Sequence, residues 1–499
     1  MESVIKCNSI LFYELAERIL SLFQNSAGVL FYYVCIQGDE KMSPITITAL
    51  TIFALTYVLM LAFQKIRPYV TVGSAIIFIA LGIMAAVNPS IFGEGFFALS
   101  SGESYNYGVS QALGEIDWNV IMMIAGTMGT VYLFIESKMP QLMSDVLISK
   151  MPNVKWVVIA LSLFAGIVSA FVDNVATVLM IAPVALAFCK KLNISPVSSI
   201  ICIAVSSNLQ GAATLVGDTT SILLAKQAGL DFSNFFVHDG HIGMFWVVEA
   251  GAIVSALIIW FMFRKENSKV EFTGRTKVED KFPTFLLVGT VVALIAVSFI
   301  PYKDTALPGQ FYKPDITNGI ICIAFFLIGI IRELLFKKNT EIVKNAFKEI
   351  DYYTIVLLTG LFVVIGGIKN AGVIDVIGDA IASLGSGSVF VVYTIIVWMS
   401  VILSAFIDNI PYTATMLSIV PVIATEVGIE PTLLYYGLLC GATLGGNLTP
   451  IGASANITGI GILRKEGYEV RSTTFMKYGV PFTLAAVITG YIMLWFIWM

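Results

Sequence analysis

The chain carries "SAFVDN" at residues 169–174 and "SAFIDN" at 404–409, an Asp-Asn pair set into apolar sequence twice, 235 residues apart. Two further segments recur in the same register. "EIDWNVIMMIAGTMG" from Glu115 matches "EIDYYTIVLLTGLFV" from Glu349, and "GAATLVGDTTS" from Gly211 matches "GNLTPIGASAN" from Gly446, at offsets of 234 and 235. Three segments at one spacing are a single internal duplication.

With 57% apolar and 12% charged residues and a mean hydropathy of +0.87, the 499-residue chain lies outside the balance of soluble proteins. Apolar stretches near 44–63, 69–87, 242–263, 284–301, 317–336 and 479–498 each approach the ~20 residues a helix needs to cross the hydrocarbon core. The chain therefore reads as an integral membrane protein built of helices. The net charge of −4 is spread over loops and gives no footprint for nucleic acid. Cys7, Cys35, Cys189, Cys202, Cys322 and Cys440 show no CxxC spacing and read as free packing thiols. Residues 1–43 form an N-terminal extension in which Glu14, Glu17 and Arg18 interrupt an apolar run. It lacks the pattern of a signal peptide. A start site placed too far upstream and a surface helix both remain open.

Basic residues set the relative orientation of the two copies. The loop before Glu115 (88–114) has no Lys or Arg, whereas Lys337, Lys338, Lys344 and Lys348 precede Glu349. Lys138, Lys150 and Lys155 stand opposite Asp375 and Asp379, and Lys190 and Lys191 opposite Glu426 and Glu430. Lys226, Asp231 and Asp239 stand opposite Arg464, Lys465, Arg471 and Lys477. Equivalent loops thus face opposite sides, as an odd number of crossings per copy requires. The linker 264–283, with six basic and four acidic residues, is expected in the cytoplasm.

The expected fold is an all-α polytopic membrane protein of two inverted-topology repeats. Repeat 1 spans 44–263, with a hairpin at 155–190 and a broken helix at 197–225; repeat 2 spans 284–499, with a hairpin at 388–424 and a broken helix at 430–463. About ten crossings accompany two re-entrant hairpins and two broken helices. Two full spans would satisfy the charges around Asp173 equally, but the arm after Asn174 is only about 22 Å long at ~1.5 Å per residue, which favours a hairpin with its tip inside the membrane. A carboxylate at that depth costs about 2.5–3.5 kcal/mol and normally faces a cavity, an ion or a partner. A tight turn outside the membrane is the plainer alternative for Asp-Asn.

"SSNLQGAATLVGDTTS" (206–221) and "GATLGGNLTPIGASAN" (441–456) place Gly, Thr, Ser and Asn in the middle of segments whose flanks must cross. Glycine permits unwinding, freed carbonyls and hydroxyls can replace an ion's water shell, and the N–H groups of a half-helix suit an anion. Close helix packing is the alternative use of small residues. The candidate ion- and substrate-binding residues are Asp173, Asn174, Asn208, Thr214, Gly217, Asp218 and Thr219 in one copy, and Asp408, Asn409, Asn447, Thr449, Gly452, Ser454 and Asn456 in the other. Na+ is a candidate ligand at Asp173, Asn174, Asp218, Asp408 and Asn409. Glu136 and Glu249 read as proton sites or paired acids, and His238 and His241 as solvated loop residues. Arginine is nearly absent from this proposed core, which disfavours a large polyanion. No P-loop, zinc spacing or Ser-His-Asp order occurs, so neither an enzyme nor an ATP-driven pump is expected, and no cofactor.

At these motifs the chain resembles the ion-transporter superfamily of arsenite permeases, NhaD-type sodium/proton antiporters and citrate or dicarboxylate carriers. "SAFIDNIPYTATM" and "GATLGGNLTPIGASANITGIGILRKEGYEV" look most like the branch containing the pink-eyed-dilution (P) protein, and the similarity covers roughly 44–499. The resemblance implies a scaffold, a mobile transport domain with opposed hairpins, commonly a homodimer, and elevator-like movement coupled to Na+ or H+. In this sequence Asp218, Thr219, Thr220 and Ser221 stand where carboxylate carriers often have Pro-Pro-Asn. The expectation is a secondary active transporter of a small ion or anion, in the plasma membrane of a prokaryote. A Na+/H+ antiporter without an anionic substrate and an ion channel are the rivals.

Overall fold

The computed structural model describes residues 42–270, 275–278, 280–303, 310–385 and 387–499. The readings of residues 1–41, including Cys7 and Cys35, lie outside the described residues.

Ten helices precede the linker: α1 (Pro44–Ala62), α2 (Arg67–Val87), α3 (Val109–Gly114), α4 (Trp118–Glu136), α5 (Met139–Ser149), α6 (Val154–Ser169), α7 (Asn174–Lys191), α8 (Val197–Gln210), α9 (Thr219–Ala228) and α10 (Met244–Met262). Ten follow it: α11 (Phe282–Ser298), α12 (Thr317–Leu335), α13 (Thr340–Lys348), α14 (Tyr352–Asn370), α15 (Val373–Leu384), α16 (Val389–Ser404), α17 (Asn409–Val427), α18 (Thr432–Gly445), α19 (Ser454–Lys465) and α20 (Ser472–Trp498). Each helix of the first ten has its counterpart ten places later. The local chemistry repeats as well: Asp117 caps α4 through Val120 N, and Asp351 caps α14 through Thr354 N, both at 3.0 Å.

Among the described residues nine helices are long and apolar enough to cross a membrane, including α7 and α17, the second arms of the hairpins. The 17-residue α11 and the two interrupted helices complete the crossings. Only 28% of the apolar window of α1 is buried, so its remaining surface faces lipid.

The repeats interlock. Helix α2 lies along α14, and α4 along α12. Glycine lets the backbones approach: a Cβ at Gly126 would meet the Cys322 backbone at 2.4 Å, and one at its equivalent Gly360 would meet that of Thr71 at 2.8 Å. A second group forms around α6 on α8, α16 on α18 and α10 on α20. The linker is strapped to the first hairpin, where Val154 N and Lys155 N donate to Ser268 O and Glu266 O. Asp280, at its other end, takes both guanidinium nitrogens of Arg332 at 2.7 and 3.1 Å. Burial opposes ionisation there, and the hydrogen bonds from Arg332 and Lys337 outweigh it and hold the carboxyl well below the usual carboxylate range.

Inversion carries a direct consequence for labelling. In a cysteine-free background, cysteines at Ser101 (before α3) and Asn345 (in α13) are expected to react with impermeant maleimide from opposite faces. Reaction of both from one face of inside-out vesicles would exclude the inverted arrangement.

Candidate functional site

Each hairpin turns at its Asp-Asn pair because the aspartate caps the returning arm. Asp173 Oδ2 accepts from Val175 N and Ala176 N at 3.0 and 3.1 Å, and Asp408 Oδ1 from Ile410 N at 3.2 Å. The broken helices share one geometry. After α8 and α18 a single tight turn leads to an extended threonine, Thr214 or Thr449. Its hydroxyl donates back to the adjacent hairpin, Thr214 to Ala170 O and Thr449 to Ala405 O. Gly217 then passes so close that a Cβ would lie 2.7–3.0 Å from the carbonyl oxygens of Gly211, Ser169 and Ala170. Gly452 stands equally against Gly446, Ala405 and Ser404, at 2.6–2.8 Å. Each half-site is thus a ring of carbonyls that glycine alone can enter.

Side-chain amides tie the halves together. Asn174 Nδ2 donates to Asn208 Oδ1 at 3.0 Å, and Asn208 Nδ2 to Thr443 O at 2.7 Å, reaching from the first tip into the second repeat. Asn447 Nδ2 returns the link to Val205 O at 2.9 Å. Asp218 caps α9 through Thr219 N at 2.8 Å and also accepts from Thr220 Oγ1 at 2.9 Å and from Asn409 Nδ2, on the other tip, at 3.3 Å. Asn456 Nδ2 donates to Gly446 O and Thr449 O at 3.1 and 3.2 Å. Asn447 Oδ1 and Asn456 Oδ1 are fully buried oxygens without a hydrogen-bond partner.

Six of the candidate residues, Asp173, Asn174, Asp218, Thr219, Asn409 and Ser454, line one cavity of about 230 Å³. Its far wall is Val131 and Tyr132 of α4 with Glu349, Asp351 and Thr354 at the start of α14. No Lys or Arg lines it. Asn208, Thr214, Gly217, Asn447, Thr449, Gly452 and Asn456 are buried behind it as its supports. Asp408 turns elsewhere: its Oδ2 receives Arg67 Nη1 of α2 at 3.0 Å. One arginine, Arg67, therefore enters a core that the sequence reads as nearly free of arginine. Arg67 follows a short connection between two spans and reads as a boundary charge, but the second tip reaches far enough to bury it. Asp351 was also missed, although its duplication as Asp117 marks it.

A second cavity, of about 420 Å³, repeats the same wall from the other copy: Glu115, Asp117 and Val120 replace Glu349, Asp351 and Thr354, and Ile365 replaces Val131. What faces that wall differs. Here it is the shaft of the second hairpin at Ala414, Leu417 and Ser418, not a tip, and Lys226 reaches Asp117 at 3.4 Å. Both tips lie toward the first cavity.

Glu249 lies next to Gln210 beside the first break, and Glu136 next to Tyr132. Cys189, Cys202, Cys322 and Cys440 are buried free thiols. His238 differs from the expectation. A short ribbon (Val237–His238 with His241–Ile242) folds it onto the end of α20, with its side chain 13% exposed and Nδ1 2.9 Å from Tyr436 Oη. Burial holds its imidazole below the ordinary pKa, with Asp239 opposing and His241 adding to the shift.

Inverted repeats whose hairpin tips and broken helices meet at a polar cavity within a lipid-facing shell define a membrane transporter. The fold matches that of the Alcanivorax borkumensis YdaH transporter (TM-score 0.53, 13% identity, 86% of this chain and 97% of that one). It likewise matches Neisseria gonorrhoeae MtrF, described as illuminating a class of antimetabolite efflux pumps (TM-score 0.52, 16% identity, 85% and 94%). The chain belongs to the citrate transporter family, CitMHS, whose model matches residues 58–441. An uncharacterised transporter of Mycobacterium tuberculosis is 27% identical over 455 residues, 90% of this chain and 98% of that protein. The P protein of Homo sapiens is 28% identical over 400 residues, 67% of this chain and 48% of the P protein.

Proposed function

We propose that the chain is a secondary active transporter that moves a small ion or anion, coupled to Na+ or H+, by an elevator-like displacement of the hairpin-bearing helices. The observation that carries this reading is the pair of equivalent cavities, only one of which meets the tips. The same wall exists twice, so a shift of the tips from one cavity to the other would exchange the face from which the site is reached. The linker face would be cytoplasmic, the membrane the plasma membrane, and the assembly a homodimer.

The cavity wall supports a cation as the first ligand. Asp173, Asp218, Glu349 and Asp351 line it without a base, so an anion enters favourably only in company with cations. The carbonyl rings and the unpaired oxygens of Asn447 and Asn456 are hard ligands suited to Na+. The same excess of carboxylates favours, as the second reading, a Na+/H+ antiporter with no anionic substrate. Uptake by proteoliposomes, screened with Na+, Li+, arsenite, citrate and chloride across pH, tests both. Gradient-coupled, saturable counterflow is expected, whereas conductance far above carrier turnover would make the protein a channel.

Asp218 aligns with Ala453, so only the first half-site adds a carboxylate. Asp218→Asn is expected to shift the Na+ or pH midpoint of uptake by about tenfold, the scale of one charge-assisted contact. Substrate affinity should change less. Loss of substrate affinity with both dependences intact would make Asp218 a substrate contact.

A further inference from the structure

The two hairpins are held differently. Arg67 donates from Nε to Met60 O at 3.0 Å, which fixes its stem against the end of α1, and from Nη1 to Asp408 Oδ2 at 3.0 Å. Its side chain is only 8% exposed. Beside it Tyr57 donates to Pro411 O at 2.7 Å and meets Thr415 Oγ1. The second tip is therefore gripped by α1 and α2. In the other copy, the register of the Gly126 and Gly360 crossings sets Asn318 in the place of Arg67. Asn318 bonds Tyr302 Oη at 3.4 Å and carries no charge. Asp173, the aspartate of the first tip, faces the cavity instead.

We infer that Arg67 makes release of the second hairpin conditional on a monovalent cation at Asp408. In the empty carrier the guanidinium holds the carboxylate against α2. A Na+ ion at Asp408 displaces the guanidinium from the carboxylate that holds it, and the tip is freed to move. The groups facing this pair are Tyr57 on α1, Asp351 and Tyr353 at the start of α14, and Asp218 at the start of α9. Na+ competes with Arg67 Nη1 for the same Asp408 oxygen. The inference rests on the transporter reading and adds to it a rule of coupling. A carrier pinned while empty exchanges ligands faster than it returns empty.

The test reads conformation rather than flux. Spin labels are placed on cysteines at Tyr69, exposed on α2, and at Lys465, exposed on α19, in a cysteine-free full-length protein in nanodiscs. In choline chloride at alkaline pH the unmodified pair should give one distance. NaCl at the same pH should populate a second distance. Arg67→Gln should populate that second distance without Na+, changing the ratio of the two populations by about tenfold or more. Arg67→Lys should restore the cation dependence. Asp408→Asn, which removes the pair from the other side, should match Arg67→Gln and serves if that variant fails to insert. The inference is overturned if Arg67→Gln keeps the unmodified distribution and response, or if the unmodified pair does not respond to Na+. Absence of counterflow in unlabelled protein, with the Na+ response of the labelled pair intact, would count against the transporter reading alone.

Discussion

Asp173→Asn and Asp408→Asn are each expected to lower proteoliposome uptake by roughly 30- to 1,000-fold, the equivalent of about 2–4 kcal/mol, while the protein remains folded and inserted. Asparagine caps a helix as well as aspartate does, so the starts of α7 and α17 should survive. Neutralising a charge at membrane depth also lowers the cost of insertion. What is lost differs between the two tips. Asp173 loses the charge it presents to the cavity, and Asp408 loses its pair with Arg67 and leaves that guanidinium buried without its carboxylate. Normal uptake by both variants, with normal expression and size-exclusion behaviour, would reduce the aspartates to helix caps.

The second large effect is expected at the glycines inside the carbonyl rings. A methyl group at Gly217 or Gly452 meets three backbone oxygens at 3.0 Å or less, and backbone cannot swing aside as the end of a side chain can. Gly217→Ala and Gly452→Ala should each force hairpin and break apart, costing about 1–3 kcal/mol as overpacking. Thermal stabilisation by Na+ or by substrate should disappear as the ring opens. Gly461→Ala in α19 is the control, because its added methyl meets nothing within 4 Å and replaces glycine inside a helix. Should Gly217→Ala unfold and respond to ligand as Gly461→Ala does, the rings are packing devices without a binding role.

Where the sequence speaks of local chemistry, the structure agrees with it closely. Asp-Asn between apolar arms reads as a hairpin tip, Gly-Thr-Asn inside a span as a break, and the lysine asymmetry as inversion, because each depends on neighbours within a few residues or on simple counts. The tertiary pairings were not legible. Arg67 and Asp408 stand 341 residues apart, and nothing beside either one names the other. Their meeting depends on how far one group of helices has moved against the other, and inverted repeats are compatible with more than one such position. His238 differs for a related reason: a loop residue is solvated by default, and only the folding of its ribbon over α18 and the end of α20 supplies Tyr436 and Trp498 as neighbours.

The threonine bonds to the hairpins turn each half-site into a closed circuit of chain. Thr214 to Ala170 and Thr449 to Ala405 both span 44 residues, and Ser207 to Ser169 and Ser404 to Ala442 both span 38. The two circuits have kept the same circumference while individual positions drifted, even to the exchange of a hydroxyl for a methyl at Ser207 and Ala442. A residue gained or lost inside a circuit would slide the threonine past its carbonyl and turn the glycine out of its ring. The chain is thus free to change letters inside these circuits but not to change length there, and growth is left to the segments outside them.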